Sequence, residues 1–289
     1  MKVYVKCPST LSRAMFRVAN ALERWAPDDL VLVEREDDAD LLVLHVIGLE
    51  ALGYRTDQPC AVIQYCTGGG QDLSAWRPLW ERARVVWSYY NLFPHLPTGA
   101  RYVQHFYHAP LGIDTVFRTD FTPRPRDITV LTSGYVNGHG QEAIEEPTLS
   151  AQRVNATSAH LGPIPTGLSP NVKVNSKYDL GDSQLASLYR RVKYVAGLRF
   201  VEGFELGVVE GLACGARPVV FDRSDNRHWF GDHALYVPEC DGEELVARLA
   251  QILAEEPRPV SREERRLVLD QFNWRTLVTE FWARVKERV

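Results

Sequence analysis

Long apolar runs are missing from this 289-residue chain. No stretch approaches the length of a bilayer-spanning helix. The start, MKVYVKCPSTLSR, is a short β-branched run without the charged segment and apolar core of an export signal. Cysteine is scarce. The five residues Cys7, Cys60, Cys66, Cys214 and Cys240 are scattered, with no C-x-x-C spacing, which tells against a disulfide scaffold or a thiolate metal centre. Buried free thiols in a reducing compartment are expected, and with them a cytoplasmic protein. Positive charge is not in surplus either: the formal net charge is −4, so no global field draws in nucleic acid or an anionic membrane. Repeats and low-complexity tracts are also absent.

What is present is a recurrence of short apolar runs with helical stretches between them, the signature of βα units around a mainly parallel sheet. In the first half the runs are Val3–Cys7, Val31–Val33, Leu41–Val46, Ala61–Tyr65, Val85–Tyr90 and Tyr102–Tyr107. An amphipathic helix is expected between the first two, with Met15, Val18, Leu22 and Trp25 on one face. The proline- and charge-rich stretch Arg118–Arg126 then reads as a linker. A second series follows: Ile128–Thr132, Val172–Val174, Tyr194–Leu198, Pro218–Phe221 and Leu235–Val237. Between its first members, Glu146–Pro170 reads as mostly loop, with one short strand near Ala159–Gly162. Helices are expected at Glu243–Ala254 and Trp274–Val289. This order predicts two Rossmann-like, doubly wound domains facing one another across a cleft, residues 1–117 and 118–275, with a last helix at about 276–289 packing back on the first.

The most informative segment runs from Arg199 to Phe221, RFVEGFELGVVEGLACGARPVVF. A strand runs into a glycine-containing turn, and a helix starting near Glu205 packs Val208, Val209, Leu212 and Ala213 onto the sheet. Gly215 ends it and Pro218 opens the next strand. Such a helix aims free amides around Leu206 and Gly207 at the carboxyl edge of the sheet, where an anion such as a diphosphate is stabilised. Glu202 and Glu210 flank that point. Carboxylates beside a diphosphate repel it, so each makes better sense accepting hydrogen bonds from hydroxyls, one set on a sugar and one on a ribose.

These residues carry a resemblance. E-x7-E followed by a small-residue helix and Gly215-x-x-Pro218-Val-Val is similar to the donor-site signature of the retaining GT-B glycosyltransferases of family four. Weaker matches lie in the same order along the chain: Asp40–His45, Ala109–Phe117, Asn171–Val174, Gln184–Arg190 and Phe272–Trp274. The resemblance implies a hexosyltransferase that takes a UDP-, GDP- or ADP-sugar as co-substrate, with no tightly bound cofactor. Transfer to a hydroxyl acceptor would retain the anomeric configuration. No metal is expected, since the helix dipole and nearby cations stabilise the leaving diphosphate. Glu210 would hold the ribose hydroxyls, Glu202 those of the transferred sugar, and Gly203, Phe204, Glu205, Leu206 and Gly207 the sugar and phosphates.

The departures are informative. The family's G-R-x-x-x-x-K-G loop is replaced here by Ser133-Gly134-Tyr135-Val136-Asn137-Gly138-His139-Gly140, which lacks both diphosphate-gripping cations. His139 or Arg199 is expected in their place, with Gly134, Tyr135 and Asn137 lining the donor site. Glu205 stands where a glycine is usual and adds negative charge near the sugar. On the acceptor side the expected residues are His45, Tyr65, Thr67 and Gly68. Two other readings remain: a phage-type enzyme glycosylating hydroxymethylated DNA bases, and a GT-B protein that binds a nucleotide sugar without turnover. The first needs a local basic patch, because residues 1–115 hold 11 Lys and Arg against 13 Asp and Glu.

Overall fold

The computed structural model describes residues 1–6, 13–46, 58–65, 76–93, 96, 99–117, 125–133, 142–164, 166–177, 180–200 and 204–288. Contacts divide the chain into two compact units, Met1–Gly112 with Phe272–Val289, and Ile113–Gln271.

In the first unit β1 (Lys2–Lys6), α1 (Arg13–Arg24), β2 (Val31–Leu32), β3 (Leu41–Val46), β4 (Cys60–Gln64), α2 (Arg77–Arg82), β5 (Ala83–Ser88) and β6 (Phe106–His108) follow in chain order. The strands form a parallel sheet in the order β2-β1-β3-β4-β5-β6, which reverses direction between β1 and β3. β4 is buried along its whole length, as a central parallel strand covered on both faces must be, and its residues Cys60 to Ile63 are apolar. α1 buries Met15, Val18 and Leu22 on its inner face. The strand expected over Tyr102–Tyr107 is shorter: Arg101–His105 forms a 3-10 turn and only Phe106–His108 pairs with β5.

The second unit contains β7 (Ile128–Ser133), α3 (Glu142–Arg153), β8 (Ser158–Leu161), β9 (Ser176–Lys177), α4 (Asp182–Arg190), β10 (Val192–Gly197), α5 (Leu206–Ala213), β11 (Arg217–Phe221), α6 (Ser224–Phe230), β12 (Leu235–Val237), α7 (Gly242–Leu253) and α8 (Arg262–Gln271). Its parallel sheet has the order β12-β11-β10-β7-β8-β9. Strand order reverses between β7 and β10, the arrangement of a doubly wound dinucleotide-binding sheet. Tyr194, Ala196 and Leu198 of the β10 segment pack with Val219, Phe221, Leu245 and Leu249 in one buried cluster.

Two expectations are corrected here. Only the first eight residues of the supposed loop, Glu146–Arg153, belong to a helix, α3, with Pro147 inside it. Its buried residues mix Ala143, Ile144 and Ala151 with Glu146, Thr148 and Ser150: Ser150 donates to the Glu146 and Val246 carbonyls, and the Gly242 amide donates to Glu146. Hydrophobic periodicity therefore does not report this helix. The strand expected at Val172–Val174 lies a few residues later, as β9 on the sheet edge.

The final helix, α9 (Trp274–Lys286), belongs to the first unit. Trp274, Leu277, Val278, Phe281, Trp282 and Val285 are buried along it. Trp87 of β5 meets the rings of Phe281 and Trp274, and the Trp282 indole donates to the Leu22 carbonyl at 3.1 Å. Each of the large apolar side chains contributes about 1.5–3 kcal/mol on burial.

Candidate functional site

The second unit's site grows from β10. VKYVAG is buried at all positions but Lys193 and ends in Gly197, where an added Cβ would stand 2.6 Å from Val208 Cγ2. Only a residue without a side chain lets α5 come this close to the strand. Glu205 caps α5 in an extended conformation, and Val208, Val209, Leu212 and Ala213 are buried. The helix closes at Gly215, whose φ of +96° lies in the left-handed region, with Gly215 N donating to Leu212 O and Ala216 N to Gly211 O. The amides of Leu206 and Gly207 stand in the first turn, where the positive end of the helix dipole lies.

Around that turn the structure assembles a polar cluster. Arg199, just past β10, places Nε 3.5 Å from Glu205 Oε2 and donates to Ser133 through both its backbone oxygen and its hydroxyl. Ser133 Oγ in turn donates to Glu205 Oε2 at 3.4 Å. The Arg199 and Glu205 side chains are only 11% and 7% exposed, so the negative charge that Glu205 brings is matched locally. Gly207 faces the same group: a Cβ there would lie 3.0 Å from the Tyr189 hydroxyl and 3.8 Å from Ser133 Oγ. Phe204 is buried with its ring edge-on to Trp229, and Glu210, on α5, is 2% exposed. Because Ser133 ends β7 and Arg199 follows β10, the cluster sits where strand order reverses, the usual ligand position in such sheets.

Glu202, Gly203, Gly134, Tyr135, Asn137 and His139 lie outside the described residues, as do Thr67 and Gly68 on the acceptor side. Sequence reasoning did not single out Ser133, Tyr189 or His160. Ser133 ends β7 and Tyr189 lies in the last turn of α4, within the matched stretch Gln184–Arg190, so position alone could have raised both. His160, in β8, is fully buried with Nδ1 3.0 Å from Thr132 Oγ1. Burial, with the Arg199 charge adding to it, brings its pKa down to about 4.

In the first unit His45 occupies the carboxyl end of β3, beside the reversal of strand order there. It is 6% exposed, shares a 3.0 Å hydrogen bond between Nδ1 and the Tyr65 hydroxyl, and stacks on that ring at 5.9 Å. Nε2 has no partner among the described residues. Burial pushes the imidazole pKa down to about 4, so at neutral pH the ring is uncharged. Tyr89 meets Tyr65 edge-on, and Gln64, next to Tyr65, accepts from the Trp80 indole at 3.0 Å.

Among the described residues no group of three or more His, Cys, Asp or Glu could hold a metal ion, and no helix is long and apolar enough to cross a membrane. Cys60, Cys214 and Cys240 are free thiols.

No family model matches the chain, and no curated protein matches it. Solved structures do. HepE from Anabaena, in complex with UDP-glucose, aligns with a TM-score of 0.69 at 12% identity over 99% of each chain. Sucrose-phosphate synthase from Thermosynechococcus elongatus gives 0.68 at 12% identity, over 99% of this chain and 98% of that one. A glycosyltransferase involved in avilamycin A biosynthesis gives 0.64 at 12% identity, over 99% and 97%. At such identities the likeness is one of architecture: the chain is an α/β protein with the GT-B fold.

Proposed function

We propose that this protein is a glycosyltransferase that moves a hexose from a UDP-, GDP- or ADP-sugar to a hydroxyl acceptor with retention of anomeric configuration and without a metal. The observation that carries this reading is the meeting of Ser133, Arg199, Glu205 and Gly207 at the start of α5, with a buried carboxylate, Glu210, on the same helix. Solved structures of the same fold that hold UDP-glucose or UDP support it.

In this scheme the Leu206 and Gly207 amides receive the diphosphate, Glu210 accepts from the ribose hydroxyls and Glu202 from those of the sugar. Phe204 and Gly203 shape the sugar pocket, while Gly134, Tyr135 and Asn137 border the phosphates. His139 and Arg199 supply the positive charge that the family's loop cations otherwise give. Arg199 acts through a guanidinium already oriented by Ser133 and Glu205, so little reorganisation is needed as charge develops on the leaving phosphate. The acceptor oxygen bonds to the anomeric carbon as the bond from that carbon to the phosphate oxygen breaks. The acceptor's proton passes to the departing phosphate oxygen. His45, Tyr65, Thr67 and Gly68 take the acceptor, and a neutral His45 suits a hydroxyl better than an anion.

A panel of radiolabelled UDP-, GDP- and ADP-hexoses, followed for slow hydrolysis, tests the reading. One donor should be cleaved, and E210Q should weaken its binding about tenfold or more, as expected for losing charge-assisted hydrogen bonds to two hydroxyls. A thermal melt of E210Q checks that the buried substitution leaves the fold intact. Intact donors throughout, or unchanged affinity in a folded E210Q, would overturn it.

A further inference from the structure

A cavity of about 520 Å³ opens in the first unit among the segments that lead into β5 and β6, lined by Arg77, Glu81, Gly99, Arg101, Tyr102 and His105. It is formed by α2 and the 3-10 turn Arg101–His105, whereas His45 stands at the carboxyl end of β3. Its volume lies within the range of small-molecule sites. None of its lining residues belongs to the donor or acceptor scheme above.

The lining has a definite chemistry. Arg77 Nε donates to Glu81 Oε1 at 2.7 Å across one helical turn, which orients the guanidinium and leaves its terminal nitrogens to other partners. Arg101 makes no hydrogen bond or ion pair with another described residue. The His105 Nδ1 lies 3.2 Å from the Trp80 carbonyl, and because a carbonyl can only accept, Nδ1 carries the hydrogen. The ring is thereby oriented, with Nε2 without a protein partner among the described residues. Tyr102 is buried with Trp80 packed against it at 6.1 Å. Two permanent cations and an imidazole thus face one carboxylate in a concave setting.

We infer that this cavity is a second ligand site, taking a small molecule that carries a phosphate monoester. The phosphate offers oxygens to Arg77 and Arg101 and, when singly protonated, a hydroxyl hydrogen to His105 Nε2, a match for forked guanidinium donors that a single carboxylate meets less completely. The remaining volume takes a carrier of about hexose size. This inference does not depend on the donor reading.

Calorimetry on the full chain tests it, with a hexose 6-phosphate, the unphosphorylated hexose and inorganic phosphate as separate titrants, each repeated under saturating UDP to block a donor site. The hexose phosphate should bind with UDP present, and the free hexose should not. Binding by inorganic phosphate as tight as the hexose phosphate would make phosphate itself the ligand and remove the carrier from the proposal. R101Q changes an exposed side chain without a structural partner and should weaken binding about tenfold, with R77Q similar. If UDP abolishes the hexose phosphate signal, or if R101Q and R77Q both bind as the parent does, the site is not there. Failure of this experiment leaves the donor panel untouched, and failure of the panel leaves this one interpretable.

Discussion

Acid should act on the first unit through His45. The imidazole is 6% exposed, and burial lowers its pKa from 6.5 to about 4. In the unfolded chain the same ring takes up its proton near 6.5, so between these values the unfolded state binds more protons than the folded state. The contribution is fully present above pH 6.5 and is lost as pH falls toward 4. A shift of this size corresponds to about 3 kcal/mol, a large share of a small unit's stability. The substitution His45→Gln keeps a polar group for the Tyr65 hydroxyl and removes the titration. Urea unfolding at a series of pH values from about 7 to 4 should show the parent losing roughly 3 kcal/mol more than H45Q over that window. General protonation of carboxylates affects both proteins alike and cancels in the difference. Parallel acid profiles for the two, or an imidazole that titrates near 6.5 by NMR, would refute the reasoning.

Two further outcomes rest on packing and charge in the second unit. Glu264 accepts from Arg217, Arg258 and the Ser261 amide, while the Ser261 hydroxyl accepts from the Glu264 amide, a reciprocal cap on α8. Burial alone would raise its pKa, but the Ser261 amide, Arg217 and His233 outweigh it and hold the carboxyl at about 2. Its contribution is therefore present above pH 4.5 and fades as pH falls toward 2; E264A should lower stability by about 2–4 kcal/mol at neutral pH, read by urea denaturation. At Gly197 an added methyl would meet Val208 Cγ2 at 2.6 Å, so G197A should cost about 1–3 kcal/mol and push α5 off the strand, weakening donor binding as E210Q does, read by calorimetry with the donor that the panel identifies.

The sequence made some parts of the molecule legible because local and tertiary demands coincide there. In the β10–α5–β11 segment the strand is apolar, Gly197 and Gly215 mark a close approach and a left-handed cap, and Pro218 sits inside the next strand, so each residue announces its place. α3 was hidden for the opposite reason. Its buried face includes Thr148 and uses Ser150 and Glu146, whose partners in α7 are 96 residues away, and Pro147 argued locally against a helix. The strand begins later than Tyr102 because a 3-10 turn, Arg101–His105, buries Tyr102 against the Trp80 ring, and a buried aromatic alone does not separate that turn from a strand. At the site, Arg199 was visible as a cation but its engagement with Ser133 and Glu205 was not. That depends on β7 and β10 lying side by side, a register no spacing reveals.

The return of α9 makes the first unit discontinuous, with residues 113–271 interrupting it. During synthesis the six strands of its sheet emerge early, yet the wall supplied by Trp274, Phe281 and Trp282 comes only after the whole intervening unit has left the ribosome. The inserted unit is one continuous stretch and can close as soon as it is made. The first must wait with Trp87 uncovered, so the nascent chain is most vulnerable to misassociation at the sheet it began with.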